Sequence, residues 1–183
     1  MFFRFYVLGG GRLHYAEGLE KIYCYDITGN HWSEVPTQPD PNFGFPRARC
    51  SYGCAKWGQD VYISGGRHYN EEEEHRSLSD IWHFRIDTFQ WRKLRMRLPE
   101  PLYFHSAIVS PSGHMFIFGG VHKDRSRTAN LYKIRLPHTM PKLVELCWEK
   151  VCVMARASKT MSPSHLRDMG VPWNLSDRLH LSS

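Results

Sequence analysis

The chain alternates short apolar runs with glycine-rich turns, and this pattern occurs three times. In each copy an apolar run ends in two glycines, at residues 6–10, 61–66 and 115–120. The copies are about 55 residues apart, a spacing that lies in the range of structural repeats. Short runs rich in β-branched and aromatic residues, bounded by turn residues, predict β-strands rather than helices. The sequence therefore predicts a repeated unit built from short strands.

Each double glycine is followed by a polar loop and an aromatic strand, predicted over residues 22–26, 81–85 and 131–135. In the first two copies a tryptophan then follows at the same distance. Trp32 comes after Tyr25 by the same number of residues as Trp91 comes after Phe84. The repetition of this phase indicates that the two copies fold alike.

A further strand is predicted ahead of the second and third double glycines, over residues 46–51 and 101–106. Each is followed by a predicted hairpin turn, at residues 56–60 and 111–114. Four short strands per repeat, with glycine where backbones approach closely, are typical of the blades of a β-propeller.

The double glycine, the later aromatic residue and the tryptophan resemble the signature of the kelch repeat family. The resemblance implies a mainly β fold with kelch propeller blades over residues 1–137, about two and a half of them, in an incomplete ring. Because the first copy lacks its introducing strand and the third lacks its tryptophan strand, we expect the C-terminal part of a larger propeller. The residues predicted to serve packing and turns are Gly9, Gly65, Gly119, Trp32 and Trp91.

Residues 138–183 do not follow the repeat, and their pattern predicts helices. A proline-led segment from Pro141 places apolar residues on two adjacent stripes of one helix. One stripe holds Leu143, Leu146, Cys147, Val151 and Met154, and the other holds Val144, Trp148, Cys152 and Ala155. A second short helix is predicted with Ser162 as its cap, Pro163 in its first turn and Gly170 at its end. Pro172 is predicted to open another turn that carries Leu175 and Leu179.

This tail resembles an elongin-binding BC box followed by a cullin-2 box. The resemblance implies that elongin B/C contacts Leu143, Leu146, Cys147 and Val151. It also implies that cullin-2, with its RING-box protein, contacts Leu166, Val171, Pro172 and Leu175. Kelch proteins with such a tail are substrate receptors of cullin-2 RING ubiquitin ligases, and some of them capture the C-terminal end of a substrate, a C-degron, in the propeller.

A C-terminal carboxylate as ligand requires arginine and hydroxyl donors, because a guanidinium binds a carboxylate through two charge-assisted hydrogen bonds. The strands that precede the double glycines are expected to lie nearest the propeller axis. The candidate substrate-binding residues are Arg49, Ser51, Arg67, Tyr103, His105 and Ser106. An alternative stays open, in which Arg49 or His105 only hydrogen-bonds neighbouring blades.

Two charged segments suggest other chemistry. The acidic run 71–74, with His68 and His75, is interpreted as a solvated loop in preference to a metal site, because it has no rigid ligand geometry. The basic run 92–97 contributes to a net charge of +6. We interpret it as an edge strand whose basic residues discourage strand pairing. An acidic protein partner is compatible with it, and we predict no binding to nucleic acid.

Composition narrows the function classes. Apolar residues make up 42% of the chain and charged residues 23%, as in a globular protein. Five scattered cysteines without a C-x-x-C pair favour reduced thiols, so we expect a cytoplasmic or nuclear location, with no membrane association. Some kelch propellers are copper oxidases, but no catalytic or phosphate-binding motif is present, so we predict a non-catalytic protein without a cofactor. The sequence thus predicts a ubiquitin ligase substrate adaptor, with a kelch scaffold free of ligase association as the alternative.

Overall fold

The computed structural model describes residues 4–12, 15–69, 76–137, 143–158 and 162–173 of the 183-residue chain. The chain divides into two compact units. The first comprises residues 1–110 and 114–135, and the second comprises residues 111–113 and 136–183.

The described part of the first unit consists of short antiparallel strands. In its first half they are β1 (Arg4–Val7), β2 (Gly11–Arg12), β3 (Tyr15–Ala16), β4 (Lys21–Asp26), β5 (His31–Pro36), β6 (Gly53–Trp57) and β7 (Asp60–Ser64). In its second half they are β8 (Arg67–His68), β9 (Arg76–Ser77), β10 (Asp80–Arg85), β11 (Gln90–Arg97), β12 (Ser106–Val109), β13 (His114–Phe118) and β14 (Leu131–Arg135).

These strands form three blade-like sheets and two small hairpins within the described residues. The first sheet has the order β1-β4-β5, the second β11-β10-β7-β6 and the third β12-β13-β14. The hairpins are β2-β3 and β8-β9. The second sheet is a four-stranded blade, and each of the other two has three strands. The predicted mainly β fold of two and a half blades without a closed ring is therefore confirmed.

The strands predicted over residues 46–51 and 101–106 were wrong in position. The first strand of the second blade is β6, and that of the third blade is β12. The predicted segments begin with prolines, and Ser51 and Phe104 have left-handed backbone angles, with φ of 55° and 56°. Such angles interrupt an extended strand. Both segments are connectors between blades, and each contributes an isolated bridge, Cys50 to Arg67 and Tyr103 to Val121.

Trp91 lies at the centre of the main hydrophobic core. It is fully buried, and its indole Nε1 donates hydrogen bonds to the Leu19 carbonyl at 3.1 Å and to Thr37 Oγ1 at 3.2 Å. The other buried members of this core are Leu19, Ile22, Val61, Ile63, Trp82 and Phe84. The second blade therefore packs on the first through its tryptophan strand, as predicted for Trp91.

Trp32 occupies the same place in the first sheet but is not a core residue. It pairs with Tyr25 as Trp91 pairs with Phe84, yet 59% of its surface is exposed. In the described residues no earlier sheet covers this face. The prediction for Trp32 was wrong because burial of this side chain depends on a neighbouring blade and not on its own strand.

The double glycines mark close approaches of the backbone. Gly65 has a φ of +57°, and a Cβ atom placed on it would lie 2.4 Å from the Leu102 carbonyl oxygen. Any side chain at this position would therefore collide with the connector to the third blade. The prediction of a packing role for Gly65 is confirmed.

The basic run lies on β11, which is an edge strand of the second sheet, as predicted. Arg92, Arg95 and Arg97 are exposed, whereas Trp91 and Leu94 are buried. The strand thus presents apolar residues to the core and basic residues to solvent.

The second unit contains α1 (Leu143–Ser158) and α2 (Pro163–Asp168) in its described part. Ser162 Oγ accepts a hydrogen bond from the His165 amide at 3.2 Å, which caps α2 as predicted. Gly170 ends it with a φ of +83°, and its amide donates to the Arg167 carbonyl at 2.9 Å. The turn predicted with Leu175 and Leu179 lies outside the described residues. Neither described helix has the length and apolar character that spanning a membrane requires.

Candidate functional site

Arg49 is fully buried, and its guanidinium is occupied by groups of the protein. Nη1 and Nη2 donate to the two Asp80 carboxylate oxygens at 2.7 and 3.0 Å, and Nη1 also donates to the Gly65 carbonyl at 3.1 Å. Burial raises the pKa of Asp80, but the hydrogen bonds and charge of Arg49, with a bond from Trp82, bring it below its usual value. The Nε atom donates as well, to the Arg47 carbonyl at 3.0 Å. The geometry favours the structural alternative for Arg49, since its guanidinium is fully buried and four of its five N–H donors are bonded to the protein.

His105 is also buried, in the connector between the second and third sheets. Its Nε2 lies 2.8 Å from Ser64 Oγ, and burial lowers the pKa of His105 to about 4. The ring is therefore neutral at neutral pH. Its Nδ1 has no hydrogen-bond partner among the described residues. This position, too, favours a role in packing between sheets.

Arg67 differs from these two residues because it is only half-buried and its guanidinium lies against aromatic rings. It is 4.6 Å from the centroid of the Tyr103 ring and 5.6 Å from that of Tyr69. Its backbone exchanges hydrogen bonds with Cys50, and the Phe104 amide donates to the Ser51 carbonyl at 2.8 Å. The structure thus brings the side chains of Arg67 and Tyr103 into contact, and it joins Ser51 to the same region through the backbone.

We call Arg67, Tyr69, Tyr103 and Ser51 the Arg67 cluster. Ser106 is exposed on β12, and among the described residues no side-chain hydrogen bond joins it to the cluster. Tyr69 was missed by the sequence analysis, although its position two residues beyond Arg67 in an extended segment was a usable signal. Burial and a hydrogen bond with the Cys50 thiol raise the pKa of Tyr69.

The Arg67 cluster has the chemistry of an anion site. Stacking on tyrosine rings holds a guanidinium in one plane while leaving its N–H edge open, and that edge binds carboxylates in a bidentate way. Tyrosine and serine hydroxyls supply additional donors. The arrangement can therefore hold a carboxylate at a partly exposed surface.

The predicted elongin-binding residues lie on α1 with different exposure. Leu143 is 75% exposed and Cys147, one turn later, is also exposed. Leu146 and Val151 are half-buried, whereas Trp148 of the other stripe is buried. Leu143 and Cys147 thus form an apolar pair that is accessible on one face of the helix.

The predicted cullin-binding residues are less uniform. Leu166 on α2 is buried, with 2% of its surface exposed, which favours a packing role for this residue. Val171 is half-buried and Pro172 is exposed. Leu175 lies outside the described residues.

Metal chemistry receives no support from the described part of the chain. It contains no group of three His, Cys, Asp or Glu side chains that could hold an ion. His68 Nδ1 lies 2.7 Å from the Ala48 carbonyl oxygen, while the acidic run 71–74 and His75 lie outside the described residues.

A family model described as the attractin/LZTR1 β-propeller matches residues 4–140, which is most of the chain. The chain belongs to this propeller family. It is similar to kelch domain-containing protein 10 of Rattus norvegicus, with 42% identity over 179 residues that cover 96% of this chain and 42% of the relative. It is 31% identical over 191 residues to the kelch domain-containing protein 10 homolog of Drosophila melanogaster, and the match covers 95% of this chain and 30% of the relative.

A third relative is kelch domain-containing protein 2 of Bos taurus, which is 26% identical over 146 residues, covering 73% of this chain and 33% of the relative. The kelch interpretation of the repeats is therefore confirmed. The chain spans about two fifths of the length of the first relatives, with 42% of the rat protein and 39% of the human protein covered. The family model and these relatives support the interpretation of the chain as a kelch protein-interaction module.

Proposed function

We propose that this propeller chain is a substrate-recognition adaptor of a cullin-2 RING ubiquitin ligase. In this proposal the second unit binds elongin B/C and cullin-2 with its RING-box protein, and the propeller blades bind a substrate. The chain itself performs no chemistry, because an adaptor acts by bringing a substrate close to the enzyme that modifies it.

The observation that carries the proposal is the exposed apolar pair on α1. Three quarters of the Leu143 surface is in water. A partner that buries it lowers the free energy by roughly 25 cal/mol per Å² of apolar surface. Cys147 is one turn later on the same face, and its small side chain allows a partner helix to approach closely. An amphipathic helix with such anchors is a common recognition element.

The substrate end of the proposal rests on the Arg67 cluster. The half-buried Arg67, whose guanidinium is flanked by Tyr103 and Tyr69, is suited to the terminal carboxylate of a substrate chain. Arg49 is excluded from this role by its pairing with Asp80. The proposed C-degron contact is therefore made by Arg67, with Ser51 and Tyr103 at its side.

The experiment is co-expression with elongin B/C and purification through a tag on this chain. We expect Leu143→Asp to abolish recovery of elongin B/C, because a carboxylate cannot enter an apolar pocket without a large desolvation cost. The matched control is Val153→Asp, the same change at a position of the same helix that is 65% exposed and points about 80° away from Leu143.

Unchanged circular dichroism of both variants shows that the fold is retained. Recovery of elongin B/C with Val153→Asp but not with Leu143→Asp supports the adaptor. If the wild-type chain recovers no elongin B/C, the alternative of a kelch scaffold without ligase association is favoured, and the adaptor proposal fails.

A further inference from the structure

A cavity of about 800 Å³ lies in the first unit, outside the Arg67 cluster. It is formed where β9, the start of β10 and the end of β11 meet the connector that leads to the third sheet. Its charged lining residues are Arg47, Arg76, Asp80, Lys93, Arg97 and Lys123. A cavity of this size lies within the range of ligand-binding sites in proteins.

The charge of this basic cavity is one-sided. Asp80 is the one acid in its described lining, and both oxygens of that acid are already bonded to the buried Arg49. Trp82 Nε1 also donates to it at 2.7 Å. The charge of Lys93 also lowers the pKa of Asp80, so this carboxylate offsets part of the basic charge. The described lining still holds five basic residues and this one acid.

Two of the basic residues that line the cavity belong to different segments of the first unit. Arg97 lies at the end of the edge strand β11 and is exposed, while Lys123 lies in the loop after β13 and is exposed as well. Like charges held around one cavity repel each other unless an anion enters, so an acidic ligand would lower the free energy of this arrangement. The side chains of Leu78 and Pro101 add apolar wall to the cavity.

The shape of the basic cavity also limits its ligand. Proteins that bind nucleic acid present basic residues along a stripe or groove that follows the phosphate backbone. Here the basic residues converge on one hollow. Beyond Lys123 a smaller adjoining cavity has two acids, Glu100 and Asp124, in its lining. A long polyanion would meet repulsion there, whereas a short acidic segment would not.

We propose that the basic cavity is a docking site for a short acidic segment, rich in Asp or Glu, of a partner protein. Charge complementarity and the identity of the chain as a protein-interaction module support this occupant. The site does not depend on the proposed ligase role, because none of its residues belongs to α1 or to the Arg67 cluster.

The test measures fluorescence anisotropy of a labelled peptide of alternating Glu and Gly, titrated with the full chain at low and at physiological salt. We expect saturable binding that weakens with salt. Arg97→Glu should weaken it at least about tenfold, whereas Arg95→Glu should change it less than about twofold. Arg95 is the matched control, because it is exposed on the same strand and the same change of charge is made, but it does not line the cavity.

A second pair of variants tests whether the effect of Arg97→Glu comes from misfolding of β11. Lys123→Glu should weaken binding as Arg97→Glu does, and Arg125→Glu, in the same loop but outside the cavity lining, should not. Equal loss in lining and control variants would show a diffuse surface charge and overturn the site. Tighter binding of labelled oligothymidylate than of the peptide would also overturn it, as would no saturable binding. Recovery of elongin B/C should be unaffected by Arg97→Glu, which keeps the two proposals distinguishable.

Discussion

At the scale of single residues, the pair of Arg49 and Asp80 shows how context decides the role of an arginine. Arg49 was a candidate for binding a carboxylate, and it does bind one, but that carboxylate is Asp80 on β10 of the second sheet. A buried guanidinium requires a counter-ion and hydrogen-bond acceptors, because isolated charges are very unfavourable inside a protein. The pair therefore holds the connector before β6 against the second sheet.

We expect Asp80→Asn to lower the free energy of unfolding by about 3–5 kcal/mol, because it leaves the Arg49 charge buried without its counter-ion. Urea unfolding followed by circular dichroism measures the change. Asp87→Asn is the control, since Asp87 also pairs with an arginine, Arg85, but in an exposed position, and its loss should have no measurable effect. Equal stability of wild type and Asp80→Asn would contradict the structural role.

At the scale of elements, the tryptophan strands show that two copies of one motif differ when their neighbours differ. β5 and β11 carry Trp32 and Trp91 in the same register. The strand signal is local, so the sequence predicts both strands correctly. Burial of the indole depends on another sheet packed across it, which no window of sequence contains. The connectors with Ser51 and Phe104 escaped prediction for a related reason, because the hydrogen bond between the Phe104 amide and the Ser51 carbonyl joins segments that are far apart in the chain.

Substitution of the two tryptophans separates the roles of these strands. Trp91→Ala should cost about 3–5 kcal/mol of the free energy of unfolding, because it empties the centre of the core and removes two hydrogen bonds. Trp32→Ala should cost no more than about 0.5 kcal/mol, as is usual for exposed positions. Chemical denaturation followed by circular dichroism compares them. Similar losses for both variants would show that Trp32 is buried in solution.

At the scale of the whole molecule, acid should weaken the packing between the second and third sheets. Burial lowers the pKa of His105 to about 4, so the folded state disfavours its protonation while the unfolded chain takes up the proton near the usual 6.5. The contribution of the neutral ring to stability is thus complete above pH 6.5, and it is lost as the pH falls from 6.5 to about 4. The loss amounts to about 3 kcal/mol.

When the pH falls from 6.5 to 4, we expect the free energy of unfolding to decrease more in the wild type than in His105→Gln. Glutamine keeps an amide that can hydrogen-bond Ser64 but does not titrate. Urea titrations over this pH range measure both proteins. The same slope in the two would mean that His105 is not the group that disfavours acid.

The sequence by itself determined the repeated strands, the double-glycine turns, the edge position of the basic run and the two helices of the tail, with the cap of α2. These features depend on local preferences and on a period that the residues display directly. Tertiary structure alone decided that Arg49 is paired inside the protein, that Arg67 remains half-buried between rings, and that basic residues from distant segments surround one cavity. Such properties depend on which surfaces meet across the sheets, and contacts between residues far apart in the chain set them.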